Sequence, residues 1–501
     1  MSQILSLKKD IGLWPAARFG DDMIIDILDT GIWPESESFK DHGMPPVPKR
    51  WRGACEIGMM FNTSNCNRKL IGARLFNKAL KHAGRTLANY DYVSPRDFYG
   101  HGTHTSSTAA GSHVIAATSD TLAGIDQAIE DGVDLMSLSL GFGFDPLFQS
   151  PISLGTFGAV EKGIFVACSA ANSGPDAYTI MNGAPWITTS GAGTLDRDYL
   201  AIVTLGKGNS TIKGKSVYPE NLYISEKIVF CEFTKDSRID DQRTELYRTD
   251  AAGAIIVTNS TQSLESCQFS FPFVAITPSD GDKVKEYFAS TTLPTFTEIG
   301  AQQLFDQQDV TDNTNGVILD IATGKPGTPL NYGAGHVNPN KALDPGLIYD
   351  IVVKDYINYL CAINYTRQEI AAITRRINYT CENANFDLSH PSFIVILNNT
   401  NTTSYTFKRV LTSVVDYKTF YTATIRAPAG MKIYFNPSSL SFEGKNSKAE
   451  FSVHVDVDLR GHGMQKSYIG NYGYLSWHEV KGKHIVRSPI VSAYALGKSM
   501  L

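Results

Sequence analysis

The chain has 501 residues, of which 42% are apolar and 19% charged, and 45 basic against 50 acidic side chains give a net charge of −5. At roughly 150 residues per domain this length predicts about three domains, and the composition excludes a mostly disordered chain. The slight negative charge provides no basic field for nucleic acid or an anionic membrane. No apolar run approaches the roughly 18–20 residues of a membrane span. We therefore expect a soluble chain of several domains with no nucleic-acid partner.

The amino terminus and the potential glycosylation sites give conflicting indications of the compartment. Residues 1–20 lack the apolar core of a secretory signal, because Lys8 and Lys9 interrupt the apolar run before them. Seven Asn-x-Ser/Thr sequences are nevertheless present, which favours a secreted surface: Asn62, Asn209, Asn259, Asn364, Asn378, Asn398 and Asn401. The body of the chain thus predicts an extracellular protein, whereas the amino terminus does not, and one explanation is that the true beginning is absent.

Four of the seven cysteines are spaced as two local pairs. Cys55 and Cys66 flank a short loop, and Cys361 and Cys381 flank a longer one. Each pair fits a disulfide, and free buried thiols are the alternative.

The first 200 residues alternate between strand and helix patterns. Residues 23–28 form a short, nearly continuous apolar run, as expected for a strand covered on both faces. The patterns that follow are a helix over 119–130, a strand over 133–140, a helix over 152–162 and a strand over 164–170. This β-α-β-α-β order predicts a parallel sheet with helices on both faces.

Beyond about residue 201 the pattern changes. Strand-like residues 226–230 and 254–257, with a helix whose capping box we place at Ser279, predict a separate small α/β unit that ends near Ile299. After about residue 390 only strands separated by turns are expected, which fits a small β-sandwich: 406–415, 421–426, 431–435 and 449–457.

Asp29-Thr30-Gly31 ends the first apolar strand. In an open parallel sheet, ligands and catalytic groups collect at the carboxyl ends of the strands. Aspartic proteases also use this motif, but they need two carboxylates that share a proton, and no second Asp-Thr-Gly or Asp-Ser-Gly occurs here. A solvated turn aspartate is the remaining alternative.

His101 and His104 lie in a glycine-flanked segment, 100–105, that opens a helix of small residues. The glycines allow other backbone to approach closely. A zinc site on these two histidines lacks a third ligand at any motif spacing. A buried, hydrogen-bonded histidine is another alternative, and it suits His104 better than His101.

Two further motifs each end a predicted strand: Ser139-Leu140-Gly141 and the turn that begins at Asn172. The Asn172 amide could donate a hydrogen bond to a developing oxyanion. An asparagine in an Asn-Ser-Gly-Pro sequence is otherwise simply a good turn residue.

Taken together and in this order, these motifs resemble the subtilisin-like serine proteases (subtilases), and among them those of plants. The resemblance covers nearly the whole chain and is also carried by 31–36, 66–73, 126–129, 332–339 and 343–347. It implies a subtilisin-like doubly wound α/β core with a parallel sheet, an inserted α/β protease-associated domain and a C-terminal all-β fibronectin-III-like sandwich. The implied boundaries are 1–204 for the first part of the core, 205–300 for the inserted domain, 301–350 for the rest of the core, 351–389 for a connecting segment and 390–501 for the sandwich.

The resemblance also implies a role for each motif. Asp29 would orient the histidine, His101 would be the general base and Asn172 the oxyanion donor, and the substrate strand would lie along Ser139, Leu140 and Gly141. The implied substrate is a peptide or protein, and the implied location is the apoplast or cell wall. No cofactor is expected, and no carboxylate cluster has calcium-loop spacing.

The family's nucleophile lies in a Gly-Thr-Ser-Met segment after the inserted domain, and this sequence contains no such segment. The nearest string, Gly327-Thr328-Pro329, has proline where serine should be. Without an activated hydroxyl, His101 has no nucleophile to deprotonate. We therefore expect a serine endopeptidase by descent that is inactive as this sequence stands. The alternatives are an active protease with an incomplete gene model and a non-catalytic, protein-binding pseudoprotease.

Further departures from the family also favour an inactive chain. A second gap, between Val114 and Ser119, removes a strand, and its loss should leave backbone groups of the sheet unpaired. Asp26 places a carboxylate in mid-strand without an evident partner. Ala171 replaces the glycine before Asn172, where we expect a Cβ to be strained. The family's signal peptide and inhibitory propeptide are not found either.

Overall fold

The computed structural model describes residues 7–84, 92–109, 112–115, 118–173, 179–193, 197–206, 210–215, 228–232, 253–258, 273–291, 296–305, 327–397, 402–460 and 469–494. The chain divides into two compact units. The smaller comprises residues 193–327, and the larger comprises residues 2–192 together with 328–501. No helix within the described ranges is both long and apolar enough to cross a bilayer.

A parallel six-stranded sheet forms the amino-terminal part of the larger unit. Its strands are β1 (Ile25–Leu28), β2 (Ala73–Leu75), β3 (Ser112–Ile115), β4 (Leu135–Leu138), β5 (Phe165–Ser169) and β6 (Thr188–Ser190). They lie in the order β2-β3-β1-β4-β5-β6, and every neighbouring pair is parallel. The helices of this part are α1 (Leu13–Ala16), α2 (Lys78–His82), α3 (His101–Ala109), α4 (Thr118–Asp131) and α5 (Pro151–Glu161).

The residues that predict this sheet also explain how it packs. Leu28 and Met136 are fully buried and share one apolar cluster with Ile125 of α4 and Ile152 of α5. The Ser150 side chain caps α5 by accepting from the Ser153 amide, which satisfies a donor that the helix start would otherwise leave unpaired. The predicted strand and helix order of this region is therefore confirmed.

The expectation of an unpaired gap in the sheet is wrong. Residues Ser112–Ile115, directly after α3, form β3 and pair in parallel with β1 on one side and β2 on the other. The ladder between β1 and β2 is continuous, because these four residues occupy the strand position.

Asp26 is an uncompensated buried carboxylate, as the sequence suggested. It lies in the middle of β1 with 9% of its surface exposed, and its Oδ2 has no hydrogen-bond partner. Desolvation, with a smaller contribution from the nearby Asp131 charge, raises the pKa of Asp26 from 3.8 to about 8. The group is therefore protonated in the folded protein at neutral pH, whereas in the unfolded chain it is ionised.

Asp26→Val should stabilise the protein, and the gain should grow with pH. Between about pH 4 and pH 8 the folded wild type holds a proton that the unfolded chain releases, so its stability falls as the pH rises through this window. We expect a gain of roughly 2–5 kcal/mol at pH 8, an order of magnitude set by the pKa shift. Urea unfolding of both proteins from pH 4 to pH 8 measures it, and parallel pH profiles would contradict the prediction.

The smaller unit contains its own mixed sheet. Its strands are β7 (Arg197–Leu205), β8 (Ser210–Lys215), β9 (Ile228–Cys231), β10 (Gly253–Val257), β11 (Phe273–Ile276) and β12 (Phe296–Phe305), in the order β12-β7-β8-β11-β10-β9. Helix α6 (Pro278–Ser290) begins after Thr277, whose side chain accepts from the Asp280 amide. The predicted capping box at Ser279 is thus wrong by two residues. Val284 of α6 is buried in the core of this unit.

The carboxyl-terminal part of the larger unit is a two-sheet sandwich. Helices α7 (Pro329–Tyr332) and α8 (Pro339–Leu343) precede its first strand, and α9 (Val353–Ala362) and α10 (Arg367–Thr374) lie between its first and second strands. One sheet has the order β13-β15-β19-β17 and the other β14-β21-β20-β16-β18. The strands are β13 (Leu347–Tyr349), β14 (Phe393–Leu397), β15 (Thr402–Ser413), β16 (Thr419–Arg426), β17 (Met431–Asn436), β18 (Ser439–Phe442), β19 (Lys448–Asp458), β20 (Ile469–Glu479) and β21 (Ile485–Tyr494). All four predicted strands are present.

Both predicted disulfides form, one between Cys55 and Cys66 and one between Cys361 and Cys381. Among the described residues, Cys168 and Cys231 are free thiols. Burial raises the pKa of the Cys168 thiol to about 12, so this cysteine is an unreactive part of the core.

A buried histidine joins the segment before β13 to the sandwich. The His484 ring contacts Glu479 Oε2 through Nδ1 at 2.6 Å and Asp344 Oδ1 through Nε2 at 2.9 Å. Burial raises the pKa of Glu479, but the hydrogen bonds from His484 outweigh it and the net shift is downward. The pKa of Asp344 is lowered by Lys483 and then by His484. A carboxylate oxygen therefore lies against each ring nitrogen of His484.

Replacing His484 should destabilise the protein, because it leaves Glu479 as an unpaired buried charge. We expect His484→Ala to cost about 3 kcal/mol at neutral pH. Since the two carboxylates have depressed pKa values, this contribution is present at neutral pH and is lost as the pH falls into the acid range. Lys483→Ala is the matched control, because it breaks only an exposed ion pair and should cost less than about 1 kcal/mol. Equal losses for the two variants in denaturant unfolding would contradict the prediction.

Candidate active site

A buried carboxylate and an imidazole meet at the carboxyl end of β1. Asp29 follows the last residue of β1 and its side chain is fully buried, whereas 38% of the His101 side chain is exposed. His101 is the first residue of α3, and its Nδ1 lies 2.5 Å from Asp29 Oδ1. Because a carboxylate only accepts, Nδ1 carries the proton and donates it to Asp29. The alternative of a solvated turn aspartate is therefore excluded.

Asp29 also accepts hydrogen bonds from two threonines. The amide of Thr30 donates to Oδ1 at 2.7 Å, and the hydroxyl of Thr105 donates to Oδ2 at 2.8 Å. Thr105 lies one helical turn after His101, so both side chains project from the same face of α3. Both oxygens of the buried charge are thus compensated, and the carboxylate is fixed in orientation. His104, by contrast, is exposed.

The loop before α3 contributes a second buried carboxylate, that of Asp97, which sequence reasoning missed. Its oxygens accept from the Gly100 amide at 2.8 Å, the Thr103 amide at 2.9 Å and the Thr103 hydroxyl at 2.6 Å. They also accept from the Thr30 hydroxyl at 3.1 Å. Asp97 therefore connects the Asp29-Thr30-Gly31 turn to the start of the helix that carries His101.

Aromatic side chains border the site. Trp33 lies under the guanidinium of Arg96, 4.7 Å from the ring centre, and Arg96 contacts the Glu35 carboxylate at 2.9 and 2.6 Å. The hydrogen bond from Arg96 lowers the pKa of Glu35. A depression of about 430 Å³ beside these groups is lined by Trp33, Tyr92, Asp97, Phe98, Gly100 and Thr103.

The other predicted site residues lie at the same edge of the sheet. Leu28, Leu138 and Cys168 are register partners on β1, β4 and β5, so Asp29 and Ser139 are the next residues along adjacent parallel strands. With strands about 4.8 Å apart, β5 ends roughly 10 Å from Asp29. Asn172 follows β5 and is exposed.

The segment 139–141 lies beside Ala171, the residue that precedes Asn172. The Leu140 carbonyl accepts from Asn182 Nδ2 at 2.7 Å. No sequence motif predicted this contact. A Cβ built on Gly141 would lie 3.8 Å from the Ala171 Cβ. The structure thus brings Asp29 and His101 into direct contact and places 139–141 beside the Asn172 turn. Within the described ranges, no group of three or more His, Cys, Asp or Glu side chains is arranged to hold a metal ion.

The chain is similar in sequence to several known proteins. The Subtilisin-like protease SBT3 of Solanum lycopersicum is 31% identical over 648 aligned positions, which cover 98% of this chain and 84% of that protein. The chain belongs to the subtilisin-like protease family. Two Arabidopsis thaliana subtilases, SBT1.7 and SBT1.6, are each 31% identical, and the alignments cover 84% and 86% of those proteins. A fibronectin type-III domain family matches residues 387–492, which confirms the character of the predicted sandwich.

Ala171 of this subtilase adopts a left-handed conformation. Its φ is +64°, a region that favours glycine because a Cβ there approaches the following carbonyl. The sequence-based expectation of strain at this position is confirmed.

Ala171→Gly should therefore stabilise the protein by about 0.5–1 kcal/mol, since relief of the Cβ strain outweighs the added freedom of the unfolded chain. Ala170→Gly is the matched control. Ala170 is absent from the positive-φ residues, so glycine there should destabilise by a similar amount. Thermal unfolding of both variants measures the difference, and a loss of stability in Ala171→Gly would refute it.

Proposed function

We propose that this subtilase is a secreted serine endopeptidase by descent that is catalytically inactive as its sequence stands, because the serine nucleophile is missing. The observation that supports a protease ancestry is the contact between Asp29 and His101. With Nδ1 donating to Asp29, Nε2 is the nitrogen that would take the proton from a nucleophile. Asp29 would hold the ring in this tautomer and stabilise the imidazolium that forms.

The oxyanion donor and the substrate-binding segment are assigned from their positions at the carboxyl ends of the strands. We assign Asn172 as the donor to the oxyanion of the tetrahedral intermediate, since its amide lies exposed next to the strand ends. Ser139, Leu140 and Gly141 would receive the substrate as an added strand. The Leu140 carbonyl is already bound to Asn182. Backbone groups alternate in direction along an extended segment, so those of Ser139 and Gly141 would face the peptide.

Two observations support the loss of the nucleophile. The sequence has no Gly-Thr-Ser string. The alignment with the tomato relative has 648 positions, more than the 501 residues of the whole chain, so that relative contains residues without a counterpart here. We place one such gap between Glu298 and Asp309. A triad that loses its nucleophile keeps only the weak catalysis that oxyanion stabilisation and binding provide.

The proposed domain organisation and location have separate support. The sheet of the smaller unit, 193–327, fits an inserted protease-associated domain over 205–300, and the sandwich fits a fibronectin-III-like domain over 390–501. Disulfides are typical of oxidising compartments, and this chain forms two. Among the described glycosylation sequences, Asn62, Asn364 and Asn378 are exposed. Both features favour an extracellular location.

Fluorophosphonate labelling tests the proposed inactivity. The purified chain should show no stoichiometric labelling, because no serine is activated by His101. A serine hydrolase of known activity labelled in parallel, and the His101→Ala variant of this chain, provide the upper and lower reference signals. Stoichiometric labelling at one serine that disappears in His101→Ala would overturn the proposal.

A second candidate is an active protease whose gene model is incomplete. The intact pairing of Asp29 with His101 favours it, because the base is already oriented for catalysis. Sequencing the transcript across the codons for Glu298 to Asp309 separates the two. A continuous transcript as given supports the inactive chain, whereas an additional in-frame segment with Gly-Thr-Ser supports the active protease.

A further inference from the structure

We propose that Asp97 is the positioning residue of this site: its buried carboxylate fixes the start of α3 against the Asp29-Thr30-Gly31 turn and so holds His101 Nδ1 on Asp29. The inference rests on the proposed function, because it concerns the geometry of the proposed base and its orienting carboxylate. The Asp97 carboxylate acts on His101 and Asp29 indirectly. It acts through Thr30, Gly100 and Thr103.

The backbone of Asp97 is fixed next to the turn. The Asp97 amide donates to the Ile32 carbonyl at 3.1 Å, and the Ile32 amide donates to the Pro95 carbonyl at 3.0 Å. A Cβ on Gly31 would lie 2.4 Å from the Asp97 Cα, so only glycine permits this approach. Asp97 is 2% exposed. Its carboxylate therefore occupies a fixed position relative to β1.

The carboxylate in turn fixes the helix start. It accepts from two backbone amides, those of Gly100 and Thr103, on either side of His101. These donors have no partners within the helix, and the negative charge is favoured at the positive end of the helix dipole. Rotation or translation of the first turn of α3 would break both contacts.

Thr30 completes the connection between the two sides. Its hydroxyl donates to Asp97 Oδ1 and accepts from the Gly102 amide at 2.9 Å, while its own amide holds Asp29. Because the hydroxyl proton of Thr30 points to Asp97, the lone pairs of the same oxygen can accept from the Gly102 amide. Without the Asp97 carboxylate, the Thr30 hydroxyl is free to rotate, and the contact between the turn and the residue after His101 is lost.

Proton NMR of the full chain labelled with ¹⁵N-histidine tests the inference without any need for activity. The Nδ1–H of His101, assigned by its disappearance in His101→Gln, reports the hydrogen bond to Asp29. In Asp97→Ala we expect this proton to exchange with water about tenfold faster, or its resonance to be lost, because the hydrogen bonds that hold the helix start are gone. Asp97→Asn keeps one acceptor oxygen and should retain the resonance with an intermediate exchange rate.

Asp120→Ala is the matched control. Asp120 is 3% exposed and accepts from the amides of Ala79 and Leu80 at the start of α2, so it is an equally buried carboxylate at a different helix start. This variant should lose thermal stability as Asp97→Ala does, but leave the His101 resonance unchanged.

The possible results distinguish failure of the role of Asp97 from failure of the pairing between Asp29 and His101. A His101 Nδ1–H resonance that is present in the wild type and unchanged in Asp97→Ala overturns the role of Asp97 and leaves the proposed function intact. The same change in Asp120→Ala as in Asp97→Ala also overturns it, because the effect would then be one of general destabilisation. No such resonance in the wild type overturns the proposed pairing of Asp29 with His101, and the role of Asp97 with it.

Discussion

The site depends on one constraint: a carboxylate that is wholly buried must be surrounded by donors. Removing an ionised group from water costs several kcal/mol unless hydrogen bonds replace the lost hydration. Asp29 meets this requirement at the end of β1, where the chain leaves the ladder and its own next amide, the Thr105 hydroxyl and the His101 ring all reach the two oxygens. The orientation of the imidazole is a consequence of this compensation.

Asp26, three residues earlier and in the middle of β1, shows what happens where that compensation is missing. In mid-strand the neighbouring backbone groups are committed to the ladders with β3 and β4, and no helix start or hydroxyl contacts its Oδ2. Asp26 therefore keeps its proton at neutral pH, because its pKa is raised to about 8. The two aspartates thus differ in their hydrogen bonding, because only the end of the strand offers free donors.

Sequence reasoning succeeded where the physical signal is local. Apolar periodicity predicted α4, α5 and their strands, and the loop spacings of Cys55 with Cys66 and of Cys361 with Cys381 indicated the disulfides. It failed where a contact joins distant segments. Asp97 has no motif of its own, and its function depends on where Thr30 and α3 meet. Strand β3 was missed because its four residues form a strand only between β1 and β2.

The described groups that orient the imidazole lie close together in the sequence. The hydrogen bonds described here around Asp29 and His101 come from residues 29–33 and 95–105, two short segments joined by the backbone contacts of Ile32. These described bonds involve residues that precede the smaller unit. Loss of the nucleophile segment would therefore remove the group to be activated and leave these bonds in place.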